Sequence, residues 1–227
     1  LCLCARRGYA FRRLGADAGA YVSCDEEQNR ILKENGRYVW HAFYSFPEGV
    51  RTDRVINNVL IRRRGAEVFE MYPGPELAMT ENWVWSEPTV AEVSPGKAVM
   101  LLRYCGTGFL WKSTSDDMGR TWSIPEKTDI PSPGNKPKLI ALGGGRTALI
   151  HTPNPKATPY SVDNRYPLEI WISSDGCKTW ERKLGVGAPK GNCSYPDGIY
   201  DGGSGHLLFS FELDRKDIYF ADCEIPE

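Results

Sequence analysis

Residues 87–103, EPTVAEVSPGKAVMLLR, have a close counterpart 49 residues later in residues 136–152, KPKLIALGGGRTALIHT. In each copy two apolar runs flank a glycine next to Lys or Arg, a pattern that predicts a β-hairpin with a tight turn. A looser copy, YPDGIYDGGSGHLLFSFE, begins at Tyr195, and a fourth without the proline, QNRILKENGRYVWHAF, begins at Gln28. The sequence therefore predicts four copies of one hairpin.

A second shared element follows two of these hairpins. Residues 115–122 read SDDMGRTW and residues 173–180 read SSDGCKTW, so both have the form S-x-D-x-G-x-T-W, with Cys177 in place of the glycine in the second. In such a turn the Ser and Asp side chains satisfy backbone groups, the glycine supplies a left-handed residue, and the Trp covers apolar surface nearby. We expect these two turns, here called the Asp turns, to have a structural role.

The repeat length determines the expected architecture. The chain of 227 residues is rich in Pro, Gly and aromatic residues, with short β-branched runs and no long segment of helical period, so the class is all-β. Repeats of roughly 50 residues with about four antiparallel strands are typical of β-propellers, and about four blades are visible. A β-solenoid or an open β-sandwich fits less well, because the repeat is too long for one and too regular for the other. We expect one domain over residues 1–227, in which residues 1–27 follow no clear pattern.

Charge and composition exclude several partners. With 28 Lys and Arg against 29 Asp and Glu, the chain has no basic surplus for a nucleic acid, and no apolar run is long enough to span a membrane. The seven cysteines include no CxxC pair and no Cys/His spacing typical of zinc. We therefore predict no metal and no cofactor, and the sequence leaves the oligomeric state open.

The repeat also predicts where polar groups meet. Glu87 lies nine residues before the turn glycine, Gly96, and Arg103 lies seven after it, so the two should be neighbours at one end of a blade. Arg165 precedes PLEIWIS, the third strand of the next blade, and belongs to the same end. Tyr195 precedes a proline, as Glu87 does. We expect these groups to converge on one mouth of the propeller.

Each of these residues allows two interpretations. Arg103 follows an apolar strand, so it is either one half of a structural ion pair with Glu87 or part of a clamp for an anionic ligand. Tyr195 is either a packed aromatic residue or, if Glu87 accepts its phenol proton, a nucleophile.

These motifs resemble those of the sialidases. The Asp turns are similar to the Asp boxes of that family, and SEPTVAEVSPGKAVMLLR followed by FLWKSTSDDMGRTW resembles one blade of the bacterial exo-sialidases. The resemblance covers most of residues 82–227. It implies a six-bladed propeller that removes terminal sialic acid with retention through a tyrosine. Carried over by motif, Tyr195 is the nucleophile, Glu87 activates it, and Arg103 and Arg165 grip the carboxylate of a sialylated or other acidic glycan.

The sequence departs from the family pattern in three places. The family's first arginine, in an Arg-Ile-Pro stretch, and its acid/base Asp are not recognisable here, so we expect the chain to be the C-terminal two-thirds of a longer protein. The context Tyr-Pro-Asp-Gly at Tyr195 replaces the more usual Tyr-Ser, which leaves room for another anionic sugar. The resemblance alone favours a secreted or periplasmic location.

Two other functions remain open on the same scaffold. A propeller lyase that acts on uronic-acid polysaccharides would use Arg103 and Arg165 in the same way but would release an unsaturated product. A non-catalytic carbohydrate-binding propeller would retain glycans without turnover.

Overall fold

The protein is a stack of antiparallel β-sheets. The computed structural model describes residues 13–14, 38–45, 53–63, 69–78, 86–154 and 164–226. All regular secondary structure in these residues is β, arranged as four four-stranded sheets, which confirms the all-β class and the propeller architecture. No helix in this part of the chain has the length and hydropathy needed to cross a membrane.

Each sheet is one blade, numbered here in chain order. Blade 1 consists of β2 (Tyr38–Ser45), β3 (Arg54–Arg63), β4 (Glu70–Tyr72) and β5 (Glu76–Ala78). Blade 2 consists of β6 (Thr89–Ser94), β7 (Lys97–Arg103), β8 (Phe109–Ser115) and β9 (Glu126–Pro131). Blade 3 consists of β10 (Lys138–Gly143), β11 (Arg146–His151), β12 (Glu169–Ser173) and β13 (Arg182–Gly185). Blade 4 consists of β14 (Cys193–Asp201), β15 (His206–Leu213) and β16 (Asp217–Glu224), and β1 (Arg13–Leu14) pairs with β16 at its edge.

Three of the four predicted hairpins are confirmed. They are the pairs β6–β7, β10–β11 and β14–β15, each of which is antiparallel. Of the fourth copy, the second half forms most of β2, whereas residues 28–37 lie outside the described residues. Within the N-terminal residues 1–27, the structure describes only the two residues of β1.

The blades are held together by side chains that alternate between two cores. In β7, Ala98, Met100 and Leu102 pack into a cluster shared with blade 1, whereas Val99 and Leu101 pack into a cluster shared with blade 3. Because successive residues of a strand point to opposite faces, a strand that contacts a neighbour on each face has to be apolar throughout. Fully burying a side chain of this size contributes about 1.5–3 kcal/mol, so each central strand makes a large contribution to stability.

Blades 3 and 4 share the third core. It joins Ile150 and Ile170 of blade 3 to Phe209 and Phe211 of blade 4. In β15 only alternate residues are fully buried, because the described part of the chain packs against one face of blade 4. The sheets therefore stack in chain order, and the equivalent ends of their strands lie side by side.

The Asp turns close through a network of side-chain hydrogen bonds. The Ser115 hydroxyl accepts a hydrogen bond from the Gly119 amide and donates one to Asp117, each at 2.9 Å. Asp117 in turn accepts hydrogen bonds from the Thr121 amide at 2.9 Å and from the Thr121 hydroxyl at 2.6 Å. Asp175 repeats these contacts with Ser173 and Thr179 in blade 3. The two turns are thus built from the same local chemistry.

The two Asp turns differ at the glycine position. Both Gly119 (φ 74°) and Cys177 (φ 61°) have left-handed backbone conformations. A Cβ atom on Gly119 would lie 2.8 Å from both Ile61 Cδ1 and Trp40 Cζ3, whereas the Cys177 side chain fits into the core between blades 2 and 3. Blade 1 therefore excludes a side chain at Gly119, and blade 2 accepts one at Cys177 despite the strained backbone.

A substitution at this position tests the packing. We expect Gly119→Ala to lower the free energy of unfolding by about 1–3 kcal/mol, because the new methyl group overlaps two side chains and the backbone is left-handed. Urea denaturation measures the loss. The reverse change in the other turn, Cys177→Gly, relieves backbone strain but removes a buried thiol, so it should cost less than Gly119→Ala; an equal or larger cost would contradict the packing argument.

The hydrogen bonds to Asp117 predict a pH dependence. Contacts with Thr121 are the main cause that lowers the pKa of Asp117 from its ordinary 3.8 to about 2. A carboxyl group with a lowered folded-state pKa stabilises the fold above its unfolded pKa, and this contribution is lost as the pH falls from about 4 to about 2. Asp117→Asn should lower Tm by about 2–4 °C at pH 6 and show a smaller difference from the wild type near pH 2.

Thermal scans at several pH values measure this difference. The control is Asp116→Asn, because the Asp116 side chain is 78% exposed and forms a surface ion pair with Lys97 at 3.1 Å. A pH-independent difference between Asp117→Asn and the wild type would show that the carboxylate charge does not hold the turn.

Candidate active site

An ion pair lies at one end of blade 2. Glu87 lies two residues before the start of β6 and Arg103 is the last residue of β7, and Arg103 Nη1 donates a hydrogen bond to Glu87 Oε2. Only 6% of Arg103 is exposed. The repeat spacing predicts this pairing, and the structure confirms it. A buried guanidinium of this kind requires a carboxylate partner, and Glu87 provides one.

Tyr195 reaches the same carboxylate from blade 4. Its hydroxyl donates a hydrogen bond of 3.2 Å to Glu87 Oε1. Tyr195 lies in β14 where the register shifts between Ser194 and Asp197, and its backbone is left-handed, with φ of 49°. Such a bulge with a strained non-glycine residue redirects a side chain at a cost of about 1–3 kcal/mol, which is typical of functional sites. Glu87 thus connects Arg103 and Tyr195.

Arg165 is fixed beside Tyr195. It lies between β11 and β12, is 1% exposed, and its Nη1 atom donates a hydrogen bond of 2.9 Å to the Ser194 hydroxyl. Its backbone amide donates to Asn192 Oδ1 at 3.3 Å, and its carbonyl accepts from the Cys193 amide at 2.8 Å. These three bonds tie Arg165 to the strand segment that carries Tyr195. The four residues selected from the sequence therefore surround one place.

The two arginines create an unbalanced positive potential. Burial is the main cause that lowers the pKa of Arg165, and the nearby charge of Arg103 lowers it further. Burial also lowers the pKa of Arg103, but Cys105 and Glu87 outweigh it, so that the pKa of Arg103 is raised. Among the described residues, the buried Nε atoms of both arginines have no hydrogen-bond partner. An anion near the two guanidinium groups would reduce the repulsion between them.

Tyr44, which the sequence patterns did not predict, also lies near this site. It lies near the end of β2 in blade 1, and burial is the main cause that raises its pKa, followed by the charge of Glu87. The charges of Arg103 and Tyr195 also act on it, so Tyr44 faces the same group. By the repeat spacing, the residue of the fourth copy that is equivalent to Arg103 is Phe43, so the repeat gives no signal for its neighbour Tyr44.

Contacts from the start of blade 3 fix the part of β14 that carries Tyr195. The Asn135 amide group donates to the Thr152 hydroxyl at 3.2 Å and to the Cys193 carbonyl at 2.9 Å. The Lys138 ammonium group pairs with Asp197 at 2.6 Å. These contacts cross from blade 3 to blade 4 on both sides of Tyr195, so they fix the bulge from the neighbouring blade.

The site contains the groups that acid–base and nucleophilic chemistry would require. A phenol, a carboxylate and two guanidinium groups meet within it. Among the residues that the structure describes, no group of three or more His, Cys, Asp or Glu side chains is placed to hold a metal ion.

The chain is similar to several solved sialidases. The Hadza microbial sialidase Hz136 is 19% identical with a TM-score of 0.58, covering 76% of this chain and 32% of that protein. The NanB sialidase of Streptococcus pneumoniae is 18% identical with a TM-score of 0.58, covering 86% and 30% of the two chains. The Trypanosoma rangeli sialidase, solved with 2,3-difluorosialic acid as a covalent intermediate, is 16% identical with a TM-score of 0.54, covering 82% and 29%. At these identities the similarity establishes the fold.

The chain spans about a third of the length of these sialidases. No curated protein matches its sequence. The sequence model of the family described as BNR repeat-like domain matches residues 33–207, which is 175 of the 227 residues. The chain therefore belongs to the BNR repeat-like family and has the propeller fold of the sialidases.

Proposed function

We propose that this chain carries the central part of the active site of a retaining glycoside hydrolase that removes terminal sialic acid, or a related acidic sugar, from glycoconjugates. The observation that carries the proposal is the hydrogen-bonded series from Tyr195 through Glu87 to Arg103, with the buried Arg165 beside it. Tyr195 is the proposed nucleophile, and Glu87 is its base. Arg103 and Arg165 bind the carboxylate of the sugar.

The proposed reaction begins at the Tyr195 hydroxyl. Its oxygen bonds to the anomeric carbon while the phenol proton passes to Glu87 Oε1, the atom that accepts its hydrogen bond at 3.2 Å. The glycosidic bond breaks at the same time, and the leaving oxygen takes a proton from an acid that is not among these four residues. Water then attacks the anomeric carbon and loses a proton to the conjugate base of that acid, while the Tyr195 oxygen leaves and takes its proton back from Glu87, so the stereochemistry at the anomeric carbon is retained.

The charges explain why a tyrosine suits an acidic sugar. A carboxylate nucleophile would repel the carboxylate of the substrate, whereas a phenol is neutral until its proton leaves for Glu87. Guanidinium groups bind carboxylates through two parallel hydrogen bonds, and Arg103 and Arg165 each bring one guanidinium group to the site. The strained backbone at Tyr195 holds the hydroxyl in position before the substrate binds.

The structural relatives support this proposal. The Trypanosoma rangeli sialidase has been solved as a covalent intermediate with 2,3-difluorosialic acid, so a protein of this fold forms a bond to a sialic acid derivative. For the present chain the same chemistry remains a proposal, because the identity is 16% and 29% of that protein is covered.

Removal of the Tyr195 hydroxyl tests the proposed nucleophile. In the intact protein, Tyr195→Phe should lower kcat for a fluorogenic sialoside by about 10²–10⁴-fold, because the hydroxyl is lost while the ring that packs against the site remains. Steady-state kinetics measure the loss, and Tm should stay close to that of the wild type.

The matched control is Tyr200→Phe. Tyr200 lies in the same strand but packs against the core of blades 3 and 4. Its substitution should leave kcat within a factor of two or so. Wild-type turnover by Tyr195→Phe would exclude the nucleophile role; an unsaturated product that absorbs ultraviolet light would indicate a lyase, and glycan retention without turnover would indicate a binding propeller.

A substitution at Arg165 tests the proposed binding of the sugar carboxylate by Arg103 and Arg165. Arg165→Lys keeps the charge but loses the fork of donors, so KM for the sialoside should rise by about 10–100-fold, with a smaller change in kcat. Kinetics over a range of substrate concentrations separate the two parameters. Arg182→Lys, an exposed change in β13, is the control. An unchanged KM in Arg165→Lys would remove Arg165 from the clamp.

A further inference from the structure

The Ser194 hydroxyl is the hydrogen-bond partner of the Arg165 guanidinium group. Ser194 is 1% exposed and lies in β14 immediately before Tyr195, where the register of the strand shifts. Its hydroxyl accepts the hydrogen bond from Arg165 Nη1 at 2.9 Å. Within the described residues the guanidinium group makes no second hydrogen bond, and Arg165 Nε is buried without a partner. The orientation of this guanidinium group therefore depends on Ser194.

The backbone of Arg165 is fixed independently of Ser194. Its amide donates to Asn192 Oδ1 at 3.3 Å, and its carbonyl accepts a hydrogen bond from the Cys193 amide at 2.8 Å. A long side chain still has many rotamers when its backbone is held, so these two bonds do not determine where the guanidinium group lies. The Ser194 hydroxyl selects the rotamer that places this group against the strand segment of Tyr195.

The two arginines of the site have partners of different charge. Arg103 donates to the carboxylate of Glu87, whereas Arg165 donates to a neutral hydroxyl. A carboxylate partner cancels the positive charge that an acidic ligand requires, whereas a hydroxyl accepts the hydrogen bond and leaves that charge in place. Ser194 thus holds the Arg165 guanidinium group without neutralising it.

We propose that Ser194 is a positioning residue that orients Arg165 for the acidic group of the substrate and leaves the positive charge of Arg165 free for that group. The inference rests on the proposed function and deepens it, because it assigns the preference for an acidic over a neutral sugar to the partner of Arg165. Ser194 and Tyr195 are consecutive, so one backbone segment carries both the residue that orients the anchor of the ligand and the proposed nucleophile. A fixed distance between anchor and nucleophile favours attack on a bound substrate.

Removal of the hydroxyl tests this role. In the intact protein, Ser194→Ala should raise KM for the fluorogenic sialoside by about 5–20-fold and change kcat by less than about threefold, because Arg165 keeps its charge but loses its orientation. Ser194→Thr keeps a hydroxyl and should hold KM within about threefold of the wild type. A wild-type KM in Ser194→Ala would overturn the role of Ser194.

A double-mutant cycle separates this role from a general structural one. Arg165→Met removes the guanidinium group and fills similar space, so adding Ser194→Ala to it should change KM by less than about twofold. A full 5–20-fold increase in that background, on the order of the effect in the wild-type background, would show that Ser194 acts independently of Arg165 and would overturn the proposal.

A charged partner tests whether the free charge of Arg165 is required. Ser194→Asp gives Arg165 a carboxylate, so KM should rise by at least about 50-fold, further than in Ser194→Ala, because the carboxylate occupies the group that the ligand needs. The Tm of Ser194→Asp should be no lower than that of Ser194→Ala, since the buried cation gains a partner. A folded Ser194→Asp protein with a KM at or below that of Ser194→Ala would contradict the proposal.

The matched control is Ser113→Ala in β8. Ser113 is also fully buried, and its hydroxyl donates to the Ser123 carbonyl at 2.6 Å, away from the four site residues. Both alanine variants lose one buried hydrogen bond and should lower Tm by about 2–5 °C, but Ser113→Ala should leave KM within about twofold of the wild type. An equal rise in KM in Ser113→Ala would overturn the role of Ser194.

The failure of this inference differs from the failure of the proposed function. If Tyr195→Phe abolishes turnover while Ser194→Ala keeps the wild-type KM, the proposed function stands and the role of Ser194 is wrong. If the intact wild type neither hydrolyses the sialoside nor binds N-acetylneuraminic acid in calorimetry, the proposed function fails and the role of Ser194 fails with it.

Discussion

The requirement that central blades be apolar on both faces shapes the whole molecule. In β7 alternate side chains enter two different cores, one shared with blade 1 and one with blade 3. This packing excludes water from β7 as far as its last residue, Arg103, which is 6% exposed. A charge at the end of such a strand cannot reach solvent, so it requires a partner within the protein or a ligand. The site at the mouth is therefore a consequence of the packing between blades.

The stacking of blades also brings distant residues together. Glu87 and Tyr195 both precede a proline at the start of a hairpin, in blades 2 and 4, and 108 positions separate them in the chain. Regular strands alone would leave each side chain in its own blade. The bulge at Tyr195 turns its side chain toward Glu87, and contacts from Asn135 and Lys138 of blade 3 fix the strand at this point. The strain at Tyr195 is thus balanced by hydrogen bonds from the neighbouring blade.

The sequence predicted the features that depend on repetition. The hairpins, the stacking and the pairing of Glu87 with Arg103 follow from periods and spacings, because equivalent residues of equivalent blades occupy equivalent places. Tyr44 was not predicted, because it lies one residue beyond the recognised repeat copy. The bulge at Tyr195 is likewise a local departure from the repeat, so no period could show it.

The balance of charge favours an acidic ligand over a neutral one. Both carboxylate oxygens of Glu87 are engaged, one by Arg103 and one by Tyr195, and the charge of Glu87 raises the pKa of Arg165 less than burial and Arg103 lower it. Within the described residues, the Arg165 guanidinium group donates to the Ser194 hydroxyl, and no carboxylate pairs with it. A buried cation whose partner is a neutral hydroxyl is stabilised only in part, and a neutral sugar would not improve this. In the proposed function a sugar carboxylate supplies the missing charge, and Tyr195 lies beside it as the proposed nucleophile.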